Sequence, residues 1–259
     1  MKKTFLIATM DNRIDGFKCL INSLSRYFDC GWRACAIAQG YNEEQKQDMA
    51  AFLKDKPCDI FYFSDYIGAH SAKVYGLENV KSDIWCSLDD DMEIIEKTDY
   101  EAVAETLDKE KSYGFISCNW ARTMALADKK VAENKYIKQK LVYTGGGLLF
   151  RDDIAEIIRG IPNRDYLFDD CLWAMYAYIN GYENYRFMGS VTVHRICTKG
   201  GRRAWIGLEA NRALPPCDLL NARKCKDVKS FGENNSYFIC LDKDLTQKAR
   251  ELHKVNKKV

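Results

Sequence analysis

The sequence predicts an α/β fold in which a mostly parallel central sheet carries helices on both faces. Short apolar runs alternate with amphipathic segments through the first hundred residues, and each amphipathic segment is long enough to be a crossover helix between parallel strands. The fourth apolar run ends in three consecutive carboxylates, Asp89, Asp90 and Asp91. Open α/β sheets bind ligands at the carboxyl ends of their strands, so the functional site is predicted there.

The first half of the chain supplies the parallel part of the sheet. Continuous apolar runs indicate buried strands, and apolar residues at helical spacing indicate the helices between them. The predicted strands are Lys3–Thr9, Arg33–Ala38, Asp59–Phe63 and Ile84–Leu88. The predicted helices are Ile14–Phe28, Glu43–Leu53 and Gly68–Asn79.

The second half continues the same alternation and then loses it. Helices are predicted at Tyr100–Leu107, at Asp152–Arg159 and from about Asp169 to Gly181, and strands at Gly114–Ser117 and Tyr185–His194. Residues 121–140 are polar and Lys-rich, which predicts an exposed loop. We therefore expect one catalytic domain over residues 1–195, with halves at 1–95 and 111–195, and a basic extension over residues 196–259.

Hydropathy and cysteine usage predict a cytoplasmic protein. No apolar run reaches the roughly 18 residues that a membrane helix needs. The apolar stretch at the start is short and lacks a cleavage site, so it is interpreted as the first strand. The 11 cysteines include no CxxC pair, which favours reduced thiols over disulfides or a zinc site.

Charge is distributed unevenly along the chain. Residues 1–110 carry 21 acidic and 13 basic side chains, whereas residues 186–259 carry seven acidic and 16 basic ones. A basic last third suits contact with phosphates or a polyanion, and it is equally typical of a solvated surface.

Two acidic groups are the candidates for chemistry. Three adjacent carboxylates repel one another, and Mg²⁺ or Mn²⁺ would compensate them, although a solvated acidic turn has the same sequence. Asp169 and Asp170 open an apolar helix, where they can act as catalytic carboxylates or simply cap the helix. Gly145, Gly146 and Gly147 separate two apolar runs and allow close approach of the backbone to another group.

The order of these motifs resembles the GT-A glycosyltransferases, particularly inverting glycosyltransferase family 2, over roughly residues 3–195. The segment Ala8–Arg13 resembles the turn after the family's first strand, and Gly68–Lys73 resembles its small-residue helix start. Leu88–Asp91 matches the DxD motif, Thr144–Gly147 the Gly-Gly segment, and Phe168–Asp170 the acidic pair, with Asp in place of the usual Glu.

The resemblance implies a GT-A (Rossmann-like) fold and metal-dependent transfer of a sugar from a nucleoside-diphosphate sugar, with a UDP-sugar favoured, to an acceptor hydroxyl. The implied metal ligands for Mn²⁺ or Mg²⁺ are Asp91, Asp89 and His194. Asp170, with Asp169 second, is the implied base of an inverting displacement. The implied acceptor-side residues are Gly145, Gly146 and Gly147. The implied contacts to the nucleotide sugar are Thr9, Asn12, Arg13, Lys73, Asp89 and Asp90. Outside the region of resemblance, Lys199, Arg202 and Arg203 flank two glycines and are candidates for a lid that closes over the diphosphate, and they are equally typical of plain surface charge.

Several alternatives stay open at this stage. Gln39-Gly40 stands where the family usually has an Asp near the nucleobase, so the choice of base is undetermined. The acceptor is expected to be a glycan, and the basic tail favours, as the alternative, DNA with hydroxymethylated bases. A nucleotidyltransferase is a weaker alternative because no Gly-rich loop follows the first strand. A non-catalytic module that binds sugar nucleotides would have the same fold.

Overall fold

The structure is a computed structural model. It describes residues 1–90, 92–94, 99–121, 136–139, 147–161, 169–194, 229–231 and 236–238.

The first half of the chain forms four parallel strands in the order β3-β2-β1-β4. The strands are β1 (Lys3–Met10), β2 (Trp32–Gln39), β3 (Cys58–Phe63) and β4 (Ile84–Asp89). The helices between them are α1 (Ile14–Ser23), α2 (Ser25–Asp29), α3 (Glu43–Leu53) and α4 (Ala69–Asn79), and a 3₁₀ turn covers Asp11–Arg13. Strand β1 lies at the centre, with Leu6 paired to Cys35 on one side and to Ser87 on the other.

The second half extends the sheet in the order β4-β8-β6-β9-β5, and β7 also pairs with β9. The strands are β5 (Met92–Ile94), β6 (Tyr113–Ala121), β7 (Tyr136–Gln139), β8 (Leu148–Arg151) and β9 (Glu183–His194). The helices are α5 (Tyr100–Lys109), α6 (Asp152–Arg159) and α7 (Asp169–Ile179). Strand β8 runs antiparallel to β4 and β6, whereas β6 and β9 are parallel.

Helices cover both faces of the sheet, which explains why the first strands have no polar alternation. All eight residues of β1 are buried. Phe5 and Ile7 pack on the face covered by α1, α2, α3 and α5, and Leu6 packs on the face covered by α4, α6 and α7. Because a strand's side chains alternate between the two faces, a strand covered on both sides must be apolar throughout.

The predicted fold class is confirmed, and most predicted elements are found within one to three residues of their expected ends. Two expectations are wrong. The helix expected over Ile14–Phe28 is interrupted at Leu24, where α1 ends and α2 begins, although the apolar spacing continues across the break. The loop expected over residues 121–140 contains strand β7, because pairing with β9 orders a segment that its own composition does not.

The predicted division into a catalytic domain over residues 1–195 and a basic extension over residues 196–259 remains a prediction. Of the expected extension over residues 196–259, the structure describes a single antiparallel pair, β10 (Lys229–Phe231) with β11 (Ser236–Phe238). Among the described residues, no helix is long and apolar enough to span a membrane. The described cysteines are free thiols.

Candidate active site

The candidate site lies at the carboxyl ends of β1 and β4, where the strand order reverses. The chain leaves β1 toward β2 and β3, and then returns through α4 to β4 on the other side of β1. The end of β4 is aligned with the end of β1, because Asp89 pairs with Ala8. A crevice opens at such a switch point in doubly wound sheets, so the acidic motif stands where a ligand is expected.

The first two acidic residues of the motif, Asp89 at the end of β4 and Asp90 directly after it, have different surroundings. The side chain of Asp89 is 48% exposed, whereas that of Asp90 is 1% exposed and lies 2.5 Å from the guanidinium of Arg13. Arg13 ends the 3₁₀ turn after β1. This buried ion pair fastens the turn after β1 to the turn after β4, and removing either partner would leave a buried charge uncompensated. The predicted contacts of Arg13 and Asp90 with a nucleotide remain predictions.

Lys73 joins the acidic motif to the start of helix α7. Its ammonium lies 2.9 Å from a carboxylate oxygen of Asp169 and 3.3 Å from one of Asp89, and its side chain is 3% exposed. Burial opposes the charged form of Lys73, but Asp169, Asp89 and Asp170 outweigh it, so the pKa of Lys73 lies above its ordinary value. Two acidic motifs that are 80 residues apart in sequence therefore converge on one lysine.

A second contact between the same two helices fixes this arrangement. Trp173, one turn after Asp169 on α7, donates its indole N–H to Nδ1 of His70 at 3.0 Å. His70 is fully buried and lies one turn before Lys73 on α4. Burial lowers the pKa of His70, with Lys73 adding to the effect and Asp169 opposing it. The nitrogen that accepts the indole proton is thus kept unprotonated, and α4 and α7 are held in register.

Asp169 and Asp170 lie in the first turn of α7, where the helix dipole favours negative charge. Asp169 is buried, at 6% exposed, and paired with Lys73, whereas Asp170 is only partly buried. The two carboxylates therefore differ in access: Asp169 is committed to Lys73, and Asp170 is the one that an incoming molecule can reach.

The loops after the first three strands contribute polar side chains that sequence reasoning missed. Gln39, which is fully buried, accepts hydrogen bonds from the backbone N–H groups of Ile67 and Gly68 at 2.7 and 3.1 Å. The Tyr66 hydroxyl donates to Asp11 at 2.5 Å. These contacts hold the loop after β3 over the ends of β1 and β2. They depend on where the loop folds back, and no periodic signal in the sequence marks such a position.

Gly40 and Thr9 support the same edge. A Cβ on Gly40 would stand 2.7 Å from the Tyr66 ring, so only glycine allows the ring to lie there. Thr9, predicted to contact the nucleotide, is buried with its hydroxyl 3.3 Å from that of Tyr41, and Asn12 is exposed.

The predicted ligands of a divalent cation are Asp89, Asp91 and His194. Asp91 and the side chain of His194 lie outside the described residues, and among the described residues no group of three metal-binding side chains is present. The backbone pairing is informative, because His194 at the end of β9 pairs with Met92, the residue after Asp91. The half-exposed carboxylate of Asp89, in a cluster with more acidic than basic groups, suits a hard divalent cation. The described carboxylates therefore fit such an ion in charge, and the backbone pairing brings His194 next to the acidic motif.

Of the glycine segment and the basic loop, only Gly147 belongs to the described residues. Gly147 is buried with φ +98°, and a Cβ there would stand 3.2 Å from both Leu88 and the Tyr100 hydroxyl. It thus lies against the end of β4, as a segment beside the site should. Gly145, Gly146, Lys199, Arg202 and Arg203 lie outside the described residues, so their predicted roles remain predictions.

Comparison with solved structures identifies the fold. S. aureus TarS (residues 1–349) matches with a TM-score of 0.56 and 13% identity over 74% of this chain. The mannosyltransferase PcManGT from Pyrobaculum calidifontis, solved with GDP-Man and Mn²⁺, matches with a TM-score of 0.60 and 18% identity over 81% of the chain. GalNAc-T7, solved with UDP, GalNAc and Mn²⁺, matches with a TM-score of 0.57 and 11% identity over 74%.

These similarities establish the fold and leave the activity to be argued from the site. The matches span 59%, 61% and 43% of the lengths of those three proteins. No protein-family model matches the sequence, and no curated protein matches it. The predicted GT-A fold is confirmed.

Proposed function

From the GT-A fold and the carboxylates gathered at its strand ends, we propose that the protein is a glycosyltransferase. It transfers a sugar from a nucleoside-diphosphate sugar, with a UDP-sugar favoured, to a hydroxyl group of a glycan. The observation that carries the proposal is the contact of Lys73 with both Asp89 and Asp169, which brings the predicted donor side and acceptor side together. Proteins of similar fold were solved with UDP-GlcNAc and with GDP-Man and Mn²⁺, which supports this class of donor.

On the donor side, Asp89, Asp91 and His194 would hold Mn²⁺ or Mg²⁺. The ion would supply positive charge to the diphosphate as the anomeric bond breaks. Asp89 is suited to this role because its carboxylate is half exposed at the strand end. Thr9 and Asn12, at the end of β1, border the nucleotide.

On the acceptor side, Asp170 takes the proton from the attacking hydroxyl. A general base needs a carboxylate that is free to accept a proton and within reach of the substrate. Asp169 is buried and paired with the ammonium of Lys73 at 2.9 Å, so a substrate has little access to its carboxylate. Asp170 is more accessible, and a single displacement with one base inverts the anomeric centre.

Two further assignments concern residues that, apart from Gly147, lie outside the described residues. Gly145, Gly146 and Gly147 contact the acceptor, and Lys199 and Arg202 close over the diphosphate. A glycan acceptor is favoured over modified DNA, and a panel containing both classes separates them.

The proposal is tested with the purified protein and a panel of UDP- and GDP-sugars, each with Mn²⁺. Binding is measured by thermal shift, and release of nucleoside diphosphate is measured with and without a glycan acceptor. We expect at least one nucleotide sugar to stabilise the protein and to be turned over, and EDTA to abolish turnover. Absence of both binding and turnover across the panel would contradict the proposal.

A matched pair of variants tests whether this edge of the sheet is responsible. Asp89 and Asp83 are carboxylates at opposite ends of β4, and both are half exposed or more. Asp89→Asn is expected to abolish metal-dependent turnover, whereas Asp83→Asn should leave it unchanged. Equal effects of the two substitutions would remove the carboxyl edge from the mechanism.

A further inference from the structure

Lys73 has an environment that its predicted role, contact with phosphate, does not explain. Its ammonium is buried, and the polar partners that the described part of the chain places within 3.3 Å are two carboxylates. The ring of Trp173, whose centroid is 5.8 Å from Nζ, flanks it. A ligand phosphate could not reach this ammonium while the packing between α4 and α7 is intact, so Lys73 acts on ligands through the carboxylates it holds.

We propose that Lys73 is the internal counter-ion of the site and that it makes binding of a divalent cation dependent on the nucleotide diphosphate. This inference rests on the proposed function. It assigns Lys73 as a positioning residue that contacts neither the donor nor the acceptor.

The net charge of the cluster around Lys73 determines how strongly it attracts a divalent cation. Asp89, Asp169 and Asp170 surround Lys73, so these described groups have a net charge of −2. Without Lys73 the net charge would be −3, and such a cluster would attract Mn²⁺ or Mg²⁺ without any substrate. One unit charge close to a divalent cation in a partly buried site changes its affinity by about tenfold or more. Lys73 therefore keeps the affinity for the free ion low, and the negative charge of the diphosphate restores it.

The counter-ion role and direct phosphate contact predict different changes in Mn²⁺ binding when Lys73 is removed. If Lys73 contacted phosphate, its removal would weaken nucleotide binding and leave binding of the free ion unchanged. If it is the counter-ion, its removal strengthens binding of Mn²⁺ alone.

The experiment measures the Kd for Mn²⁺ alone by electron paramagnetic resonance in a series of variants. Lys73→Met raises the negative charge of the cluster and should bind Mn²⁺ about tenfold tighter than the wild type. Asp169→Asn lowers it and should bind about tenfold more weakly. The double variant Lys73→Met/Asp169→Asn restores the net charge and should bind like the wild type, as should Lys73→Arg.

Either of two results would contradict the role of Lys73. Unchanged or weaker Mn²⁺ binding in Lys73→Met overturns the inference. If Lys73→Met does not fold, the double variant compared with Asp169→Asn isolates the same charge, and a difference below about threefold between these two is equally contrary.

A wild-type titration separates this inference from the proposed function. Mn²⁺ is titrated with and without UDP, and UDP should tighten Mn²⁺ binding in the wild type. If the wild-type protein binds neither UDP nor Mn²⁺ in UDP's presence, the proposed function fails. If it binds both and the variant series is flat, only the role of Lys73 fails.

Discussion

Two buried cations, Arg151 and Lys73, lie near opposite ends of strand β4 and differ in the kind of partner they have. We call the two sides of the sheet the amino edge, where the parallel strands begin, and the carboxyl edge, where they end. Arg151 ends β8 at the amino edge, paired with Ile84 at the start of β4. Its guanidinium donates to backbone carbonyls in the segment from α5 to β6 and to the carboxylate of Asp153. The carbonyl acceptors are those of Leu107, Glu110, Lys111 and Tyr113, at 2.9 to 3.2 Å. Among the described residues, the polar partners of Lys73 are instead the carboxylates of Asp89 and Asp169.

This difference between the partners of Arg151 and Lys73 shows that burial of a charge does not by itself identify a functional site. The main partners of Arg151 are backbone atoms, which a ligand can displace only by unfolding the segment. One partner of Lys73, Asp89, is a half-exposed side chain at the strand end, where a ligand can compete for it. The predictions below test this division between an edge that stabilises the fold and an edge that does chemistry.

The largest expected effect is on catalysis at the carboxyl edge. Asp170→Asn should lower the rate of sugar transfer by about 100- to 10,000-fold, because the acceptor loses its general base. Donor affinity, measured by titration with the active nucleotide sugar, should change little. The control is Asp15→Asn, which removes an exposed acid from the first turn of α1 and so reproduces the loss of a helix-dipole contact. Full turnover by the Asp170 variant would show that another group is the base.

The second largest effect is on stability at the amino edge. Arg151→Met should lower the free energy of unfolding by about 3–5 kcal/mol, because several buried carbonyl groups lose their donors. Urea unfolding measures this loss, and the variant that remains folded should keep its kcat.

Arg151→Lys provides the control for charge. An ammonium has three donors and cannot span acceptors arranged around a planar guanidinium, so this variant should also be clearly destabilised. Wild-type stability in Arg151→Lys would mean that positive charge alone is required at this edge.

The sequence predicted the parts of this molecule that local pattern determines. The runs around Phe5 and Trp85 indicated buried strands because both faces of those strands are covered. Asp89 and Asp170 could be predicted to lie at a strand end and a helix start, because acids in these places have a recognisable position in the sequence; their roles remain predictions. The break at Leu24 and the pairing of β7 were missed, because tertiary contacts decide them against the local pattern.

The contacts that support the candidate site could not be predicted from the sequence. Tyr66 and Gln39 act through a loop whose path the sequence does not encode in any period. His70 and Trp173 meet across two helices 103 residues apart in sequence. Lys73 was assigned to the site, but its carboxylate partners follow only from how α4 packs against α7.

A smaller effect on stability is expected at two glycines, one at each edge, and the difference between them reports how tightly each edge is packed. Gly147, at φ +98°, is surrounded by Leu88 and Tyr100, whereas Gly31, at φ +83° before β2, has no atom within 4 Å of a Cβ position. Gly31→Ala should cost about 1 kcal/mol from backbone strain alone. Gly147→Ala should cost about 1–2 kcal/mol more, because the added methyl also crowds the end of β4. Chemical denaturation of both variants measures the difference, and equal costs would mean that the carboxyl edge yields as easily as open solvent.

The smallest expected effect is a pH dependence of stability that arises from His70 at the carboxyl edge. Burial lowers the pKa of His70 in the folded protein, so below its ordinary value of about 6.5 the unfolded chain binds the proton first. Stability contributed by neutral His70 is therefore complete above about pH 6.5 and is lost as the pH falls, by about 1.4 kcal/mol for each unit of pKa difference.

His70→Gln isolates this contribution, because the Gln side-chain carbonyl can still accept the Trp173 indole proton while carrying no titratable group. Urea unfolding at about pH 7.5 and pH 5.5 should show a smaller loss of stability in the variant than in the wild type. Asp169 and Lys73, which face His70, are present in both proteins and cancel in the comparison. Identical pH dependence in the two proteins would mean that His70 is not held neutral by the packing of α4 against α7.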